Sequence, residues 1–160
     1  VLFRSGKQVA ATDNARQLYD GILTFNANDK LSFMANYDYG RDKGANLLPG
    51  VSGPRVFWQG VAGYVKTKLS DKFTLSNRYE WFDDHQGYMT GSTQEMQSYT
   101  ATAMIPWQDA MFWLEYRRDW SNADTFNTTS SGVFGPIQGI RSYQNTFAIG
   151  LTYGFTKTVK

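Results

Sequence analysis

The chain has 160 residues, 41% of them hydrophobic, 16% aromatic and 19% charged, with a formal net charge of +2. Ordinary globular chains carry roughly 25% charged residues, yet the mean hydropathy here is still negative at −0.47, because Ser, Thr, Asn, Gln, Gly and Tyr make up the difference. The 5 Trp, 10 Tyr and 11 Phe exclude disorder, the absence of Cys excludes disulfide scaffolds, zinc–thiolate sites and cysteine nucleophiles, and no stretch approaches a transmembrane helix.

Val1 to Ser5 stands outside the pattern of the rest. It equals one reading frame of a common sequencing-adapter end, so it is set aside as an artefact, within a partial extracellular loop over 1–17. From there alternation dominates. A strand is expected at about 18–27 and a second at 30–40. In the second, Leu31, Phe33, Ala35, Tyr37 and Tyr39 alternate with Ser32, Met34, Asn36 and Asp38. A third runs over 56–69; Val61, Gly63, Val65, Thr67 and Leu69 form its apolar parity, which puts Lys66 and Lys68 on the polar one. The fourth, 72–82, alternates Phe73, Leu75, Tyr79 and Trp81 with Thr74, Ser76, Arg78 and Glu80. The fifth, 97–105, has Tyr99, Ala101, Ala103 and Ile105 on one parity. The sixth, 110–120, has Phe112, Leu114, Tyr116 and Trp120 on one parity and Trp113, Glu115, Arg117 and Asp119 on the other. The seventh, 142–155, carries Phe147, Ile149, Leu151, Tyr153 and Phe155, and residues 156–160 form a tail. No segment shows a capped helical period.

Connections alternate as strictly as side chains. Asn28-Asp29, Ser70-Asp71 and Pro106 to Asp109 are tight hairpin turns. Arg41 to Arg55, Asp83 to Met96 and Ser121 to Arg141 are long and rich in Gly, Ser, Thr and Asn. A soluble sandwich would also alternate, and a propeller would also repeat. However, strands of about 10–13 residues suit a bilayer crossing of ~9–11 residues better than the ~5–6 of soluble sheets. Aromatic residues also gather near strand ends: Tyr37, Tyr39, Tyr79, Trp81, Tyr116, Trp120, Tyr153 and Phe155. Short turns on one rim, long loops on the other and interfacial aromatics are marks of a transmembrane barrel. The fold expected is all-β, an antiparallel up-and-down transmembrane β-barrel.

The lumen would carry the polar parity: Asp20, Asp38, Lys66, Lys68, Arg78, Glu80, Glu115, Arg117 and Asp119. A charge on the lipid face costs about 2–4 kcal/mol at the midplane. Arg118 breaks the rule and is expected to snorkel near the long-loop rim. Seven strands is an odd number, whereas bacterial single-chain barrels have an even one; together with the lack of a signal-peptide pattern at the start, this leads us to expect the C-terminal part of a longer barrel.

Three stretches carry a family resemblance: Leu75 to Asp84 followed by Gly87, Leu114 to Ser121, and Ala148 to Phe155. An Arg-Tyr-Glu strand followed by a Glu-Tyr-Arg strand, closing on an aromatic residue, resembles the outer-membrane β-barrel porins of Gram-negative bacteria in the OmpL-like group. The likeness covers about residues 14–156. It implies an outer-membrane location, recognition by the barrel insertion machinery through Phe155, and a pore for small solutes.

Other chemistry has little to build on. His85 is the single imidazole and begins a Gly/Ser/Thr-rich loop where nothing fixes a triad. Asp83 and Asp84 with Asp119 or Asp124 lack the spacing of an acidic calcium loop. The Gly-Pro stretches at 50–54 and 132–136 open no helix, so they are not phosphate cradles. No enzyme activity, cofactor, metal or nucleic-acid partner is expected. The function expected is passive diffusion of small solutes through a pore lined by mixed charges. The alternative is a non-conducting structural or interaction barrel that binds surface partners through its long loops.

Overall fold

The computed structural model describes residues 2–7, 15–43, 55–132 and 135–154. Its strands are β1 (Leu2–Lys7), β2 (Ala15–Asn28), β3 (Leu31–Lys43), β4 (Arg55–Ser70), β5 (Phe73–Asp84), β6 (Gln94–Trp107), β7 (Ala110–Ser121), β8 (Phe126–Gly132), β9 (Gly135–Arg141) and β10 (Tyr143–Tyr153). Eight of them form one antiparallel sheet in the order β1-β2-β3-β4-β5-β6-β7-β10, while β8 and β9 make a separate hairpin. Each strand of the large sheet pairs with its neighbour in the chain, apart from the β8–β9 excursion. The sheet is not closed: β1 and β10 are its two edges.

The seven long strands coincide with those expected to within about three residues at each end, β10 being described over Tyr143–Tyr153. β2 and β3 are joined by Asp29-Lys30, β4 and β5 by Asp71-Lys72, and β6 and β7 by Gln108-Asp109. The last turn is shorter than expected. Pro106 and Trp107 are strand residues paired with Met111 and Ala110, and Gln108 takes a positive φ of 54° that lets two residues reverse the chain. Two further differences concern stretches read as loops. Leu2–Lys7 lies against β2, with Arg4 opposite Leu18, and β2 begins at Ala15 within the loop expected over 1–17. Phe126–Gly132 and Gly135–Arg141 of the last long loop pair as β8 and β9, with Thr129 opposite Gln138. Phe155, the tail 156–160 and most of the loop 41–55 lie outside the described residues.

The cross-strand register fixes two faces. One row runs Leu31, Thr67, Leu75, Ala103, Leu114, Ile149. The row beside it on the opposite face runs Ser32, Lys66, Ser76, Thr102, Glu115, Ala148. Burial is inverted relative to a soluble sheet. On the apolar face Leu23, Phe147 and Ile149 are 71%, 75% and 82% exposed, whereas Asp42, Asp84, Gln94 and Asp119 of the polar face are all buried. A single sheet buries one face without a second layer by curling toward it, so the polar face is the concave one.

Candidate functional site: the polar face

The nine residues singled out by parity all lie on the concave face. Asp20 of β2 is the cross-strand partner of Asp38 of β3. Lys66 lies between Ser32 and Ser76, and Lys68 faces Thr74. Arg78, Thr100 and Arg117 form one row; Glu80, Ser98 and Asp119 form the next. Glu115 accepts a hydrogen bond from the Thr102 hydroxyl at 2.9 Å.

The central ion pairs run along the strands. Neighbouring strands do not exchange the central charges; each strand holds its own. Arg78 is paired with Glu80 two residues along β5. Arg117 Nε donates to Asp119 Oδ1 at 2.6 Å, two residues along β7. Side chains at i and i+2 point the same way about 6.5–7 Å apart at Cα, a span the long guanidinium arm closes. Asp119 also accepts from Gln144 Nε2 at 2.8 Å, and Glu80 accepts from the Ser98 hydroxyl at 3.3 Å.

Charge is also graded along the face. Asp20, Asp38, Asp42, Glu80, Asp84 and Asp119 occupy the rows nearer the long loops. Arg78 and Arg117 come next, and Lys66 and Lys68 lie toward the short turns. Glu115 and Arg16 depart from the gradient, and Arg16 is neutralised by Asp42 at 3.2 Å.

The loop between β5 and β6, residues 85–93, bends inward over this face. Sequence reasoning missed the device that holds it. Asp84 has no exposed surface. Its carboxylate accepts from the Tyr88, Met89 and Thr90 amides at 2.9, 2.9 and 2.7 Å and from the Thr90 hydroxyl at 2.8 Å. The loop's next anchor is Tyr88, whose hydroxyl donates to Asp42 Oδ2 at 2.8 Å and accepts from Arg16. Its ring lies 5.7 Å from that of Trp58, and the Arg16 guanidinium stands over both rings. Burial and the bond to Asp42 hold the Tyr88 phenol above its ordinary range, with Arg16 opposing. The available signal was Asp84 followed by Gly87, since an acceptor just before a positive-φ glycine suits a tight loop.

On the apolar face the expected rim aromatics divide. Tyr37, Tyr39, Trp81 and Trp120 are loop-side, and Tyr153 is beside Ala110 at the turn side. Tyr79 sits one row further in, 6.3 Å from Trp120. Tyr116 is mid-strand and packs on Phe147 at 5.0 Å, because β7 continues to Ser121 and leaves it well short of the end. Arg118 is on this face, its guanidinium 4.9 Å from the Tyr143 ring. Four amides that alternation hides also lie here, each accepting from a tyrosine hydroxyl: Gln59 from Tyr37, Gln97 from Tyr79, Asn77 from Tyr99, and Asn145 from Tyr116.

His85 lies at the loop-side rim of the apolar face, with its ring 4.5 Å from Phe57 and Nδ1 3.5 Å from Asp83. Asp83 points to the opposite face from Asp84, so the two cannot grip one cation. Among the described residues no group of three His, Asp or Glu is placed to hold a metal.

The sequence profile of one family, described as "Putative beta-barrel porin-2, OmpL-like", matches residues 3–155. The chain belongs to this family. The matched span takes in all eight strands of the sheet, and the two-faced register is the layout that an OmpL-like porin barrel needs. No curated protein and no solved structure matches the chain.

Proposed function

We propose that the protein is an outer-membrane porin of a Gram-negative bacterium, seen as part of a barrel, through which small solutes diffuse passively along the polar face. The observation that carries this reading is the register. Seven strands of 11–16 residues place charged and hydroxyl side chains on one face and exposed Leu, Ile, Phe and Tyr on the other. Lipid would cover the apolar face, the insertion machinery would receive the C-terminal strand, and water and solutes would occupy the concave side. On this reading the protein acts by permeation. The pairs Arg78–Glu80 and Arg117–Asp119 line the path, and fixed charges at such positions set ion selectivity.

The test is planar-bilayer conductance of the intact protein, followed by Arg78→Glu with Arg117→Glu. The expected result is a stable conductance whose selectivity shifts toward cations in the double variant. No conductance from a correctly inserted barrel would remove the reading. Unchanged selectivity would remove these arginines from the permeation path.

The inward loop favours one alternative. A loop pinned over the polar face by Tyr88 also suits a closed barrel that presents its loops to a surface partner. Conductance separates the two readings.

A further inference from the structure

We infer that the turn-side end of the polar face is a binding site for small oxyanions, phosphate or carboxylate in class. The inference deepens the porin reading, on which its part in permeation rests. A cavity of about 500 Å³ opens there, lined by Lys30, Lys66 and Lys68 with Asn26, Ser32 and Thr74. Three lysines thus line it beside one carboxylate, that of Asp29, which is exposed at the β2–β3 turn, and of the three only Lys68 is ion-paired among the described residues, with Asp71.

The decisive residue is Lys66. Four of the other described cations of this face each hold a carboxylate: Arg16 holds Asp42, Arg78 holds Glu80, Arg117 holds Asp119, and Lys68 holds Asp71 at 2.7 Å. Lys66 has no carboxylate partner among the described residues. Its cross-strand neighbours are Ser32 and Ser76, whose hydroxyls can donate to an anion that an ammonium group attracts. An unpaired lysine flanked by hydroxyls beside an open cavity lacks one thing, an acceptor with negative charge.

The next row inward points the same way. Thr100 is buried between its partners Arg78 and Arg117, and neither its Oγ1 nor Arg78 Nε has a hydrogen-bond partner. Two buried polar atoms without partners therefore lie in the row next to the lysine site. An oxyanion arriving from the turn side meets Lys66 first and the arginine row second.

The experiment uses the intact protein in zwitterionic detergent micelles, with inorganic phosphate as the probe and calorimetric titration as the readout. Lys66→Gln is compared with Lys72→Gln, which removes a charge from the β4–β5 turn outside the cavity. The expected result is saturable phosphate binding that weakens about tenfold in Lys66→Gln, the loss of one charge-assisted bond, and by less than about twofold in Lys72→Gln. Equal weakening in both variants, or no saturable binding, overturns the inference. The same preparation is tested for conductance. Phosphate binding without conductance upholds the site and removes the porin reading. Conductance without phosphate binding does the reverse.

Discussion

The indole of Trp58 covers Gly40, its cross-strand partner, so closely that a Cβ at position 40 would fall within the ring. Trp113 covers Gly150 in the same way between β7 and β10. A glycine in a strand leaves a hole and adds backbone freedom; a partner tryptophan fills the hole and removes the freedom. Gly40→Ala must expel the indole, and overpacking of this kind costs about 1–3 kcal/mol. Gly63→Ala is the control, because nothing lies within 4 Å of a Cβ there. Urea unfolding in lipid vesicles should show a lower midpoint for Gly40→Ala alone.

Tyr88→Phe should release the inward loop. The hydroxyl it removes is bonded to two charged groups, Arg16 and Asp42, and such bonds contribute about 1.5–3 kcal/mol. The Gly87 and Gly91 amides, bonded to Asp84 and Gly87 carbonyls, should exchange with solvent at least about tenfold faster. Conductance should rise if the loop narrows the path.

Alkali should open the same latch without mutation. The folded phenol is held above its ordinary value near 10. Its contribution is therefore fully present below that ordinary value and is lost as pH rises through the raised folded one. Loop exchange in the unmodified protein should accelerate across that alkaline window, beyond the intrinsic effect of hydroxide, whereas Tyr88→Phe should show no such step.

Gly87→Ala should damage the loop by a different route. Gly87 has φ +66°, and a Cβ would stand 2.8 Å from the Ser92 carbonyl carbon and 2.9 Å from the Thr93 nitrogen. Both contacts are with backbone, so the loop must refold. Proteolysis between residues 85 and 93 should become much faster, while the strands remain protected.

On the outer face, Tyr99→Phe should leave the Asn77 amide without its 2.7 Å donor partner. An amide orphaned in hydrocarbon costs roughly 1–3 kcal/mol on protein scales. Tyr99→Phe with Asn77→Leu should recover most of that loss. Folding free energies of the two variants in vesicles of the same lipid check this, and a double variant as weak as the single one would refute the pairing.

The strands and the sidedness of their charges were legible because a period of two records which face a side chain takes. Even Lys66 and Lys68, which share a parity with Trp58 and Tyr64, were placed on their proper face by the apolar run from Val61 to Leu69. The β8–β9 hairpin was illegible for the same reason. Phe126 to Gly132 and Gly135 to Arg141 carry no alternation, and their pairing is a matter of backbone bonds. Pro106 read as a turn residue because it usually is one; beside a two-residue reversal it completes the strand instead. The Asp84 anchor and the tyrosine–amide pairs depend on which strands adjoin, and in what register, which no single strand's pattern contains.

The pairing of Arg78 with Glu80 and of Arg117 with Asp119 bears on how such a barrel can change size over evolutionary time. Each of these strands brings its counterion with it. A hairpin can be duplicated, deleted or shifted against its neighbour without stranding a charge on the concave wall, since these arginines do not look to the next strand for neutrality. Self-sufficient strands of this kind would let the circumference vary while the electrostatics of the wall stay fixed.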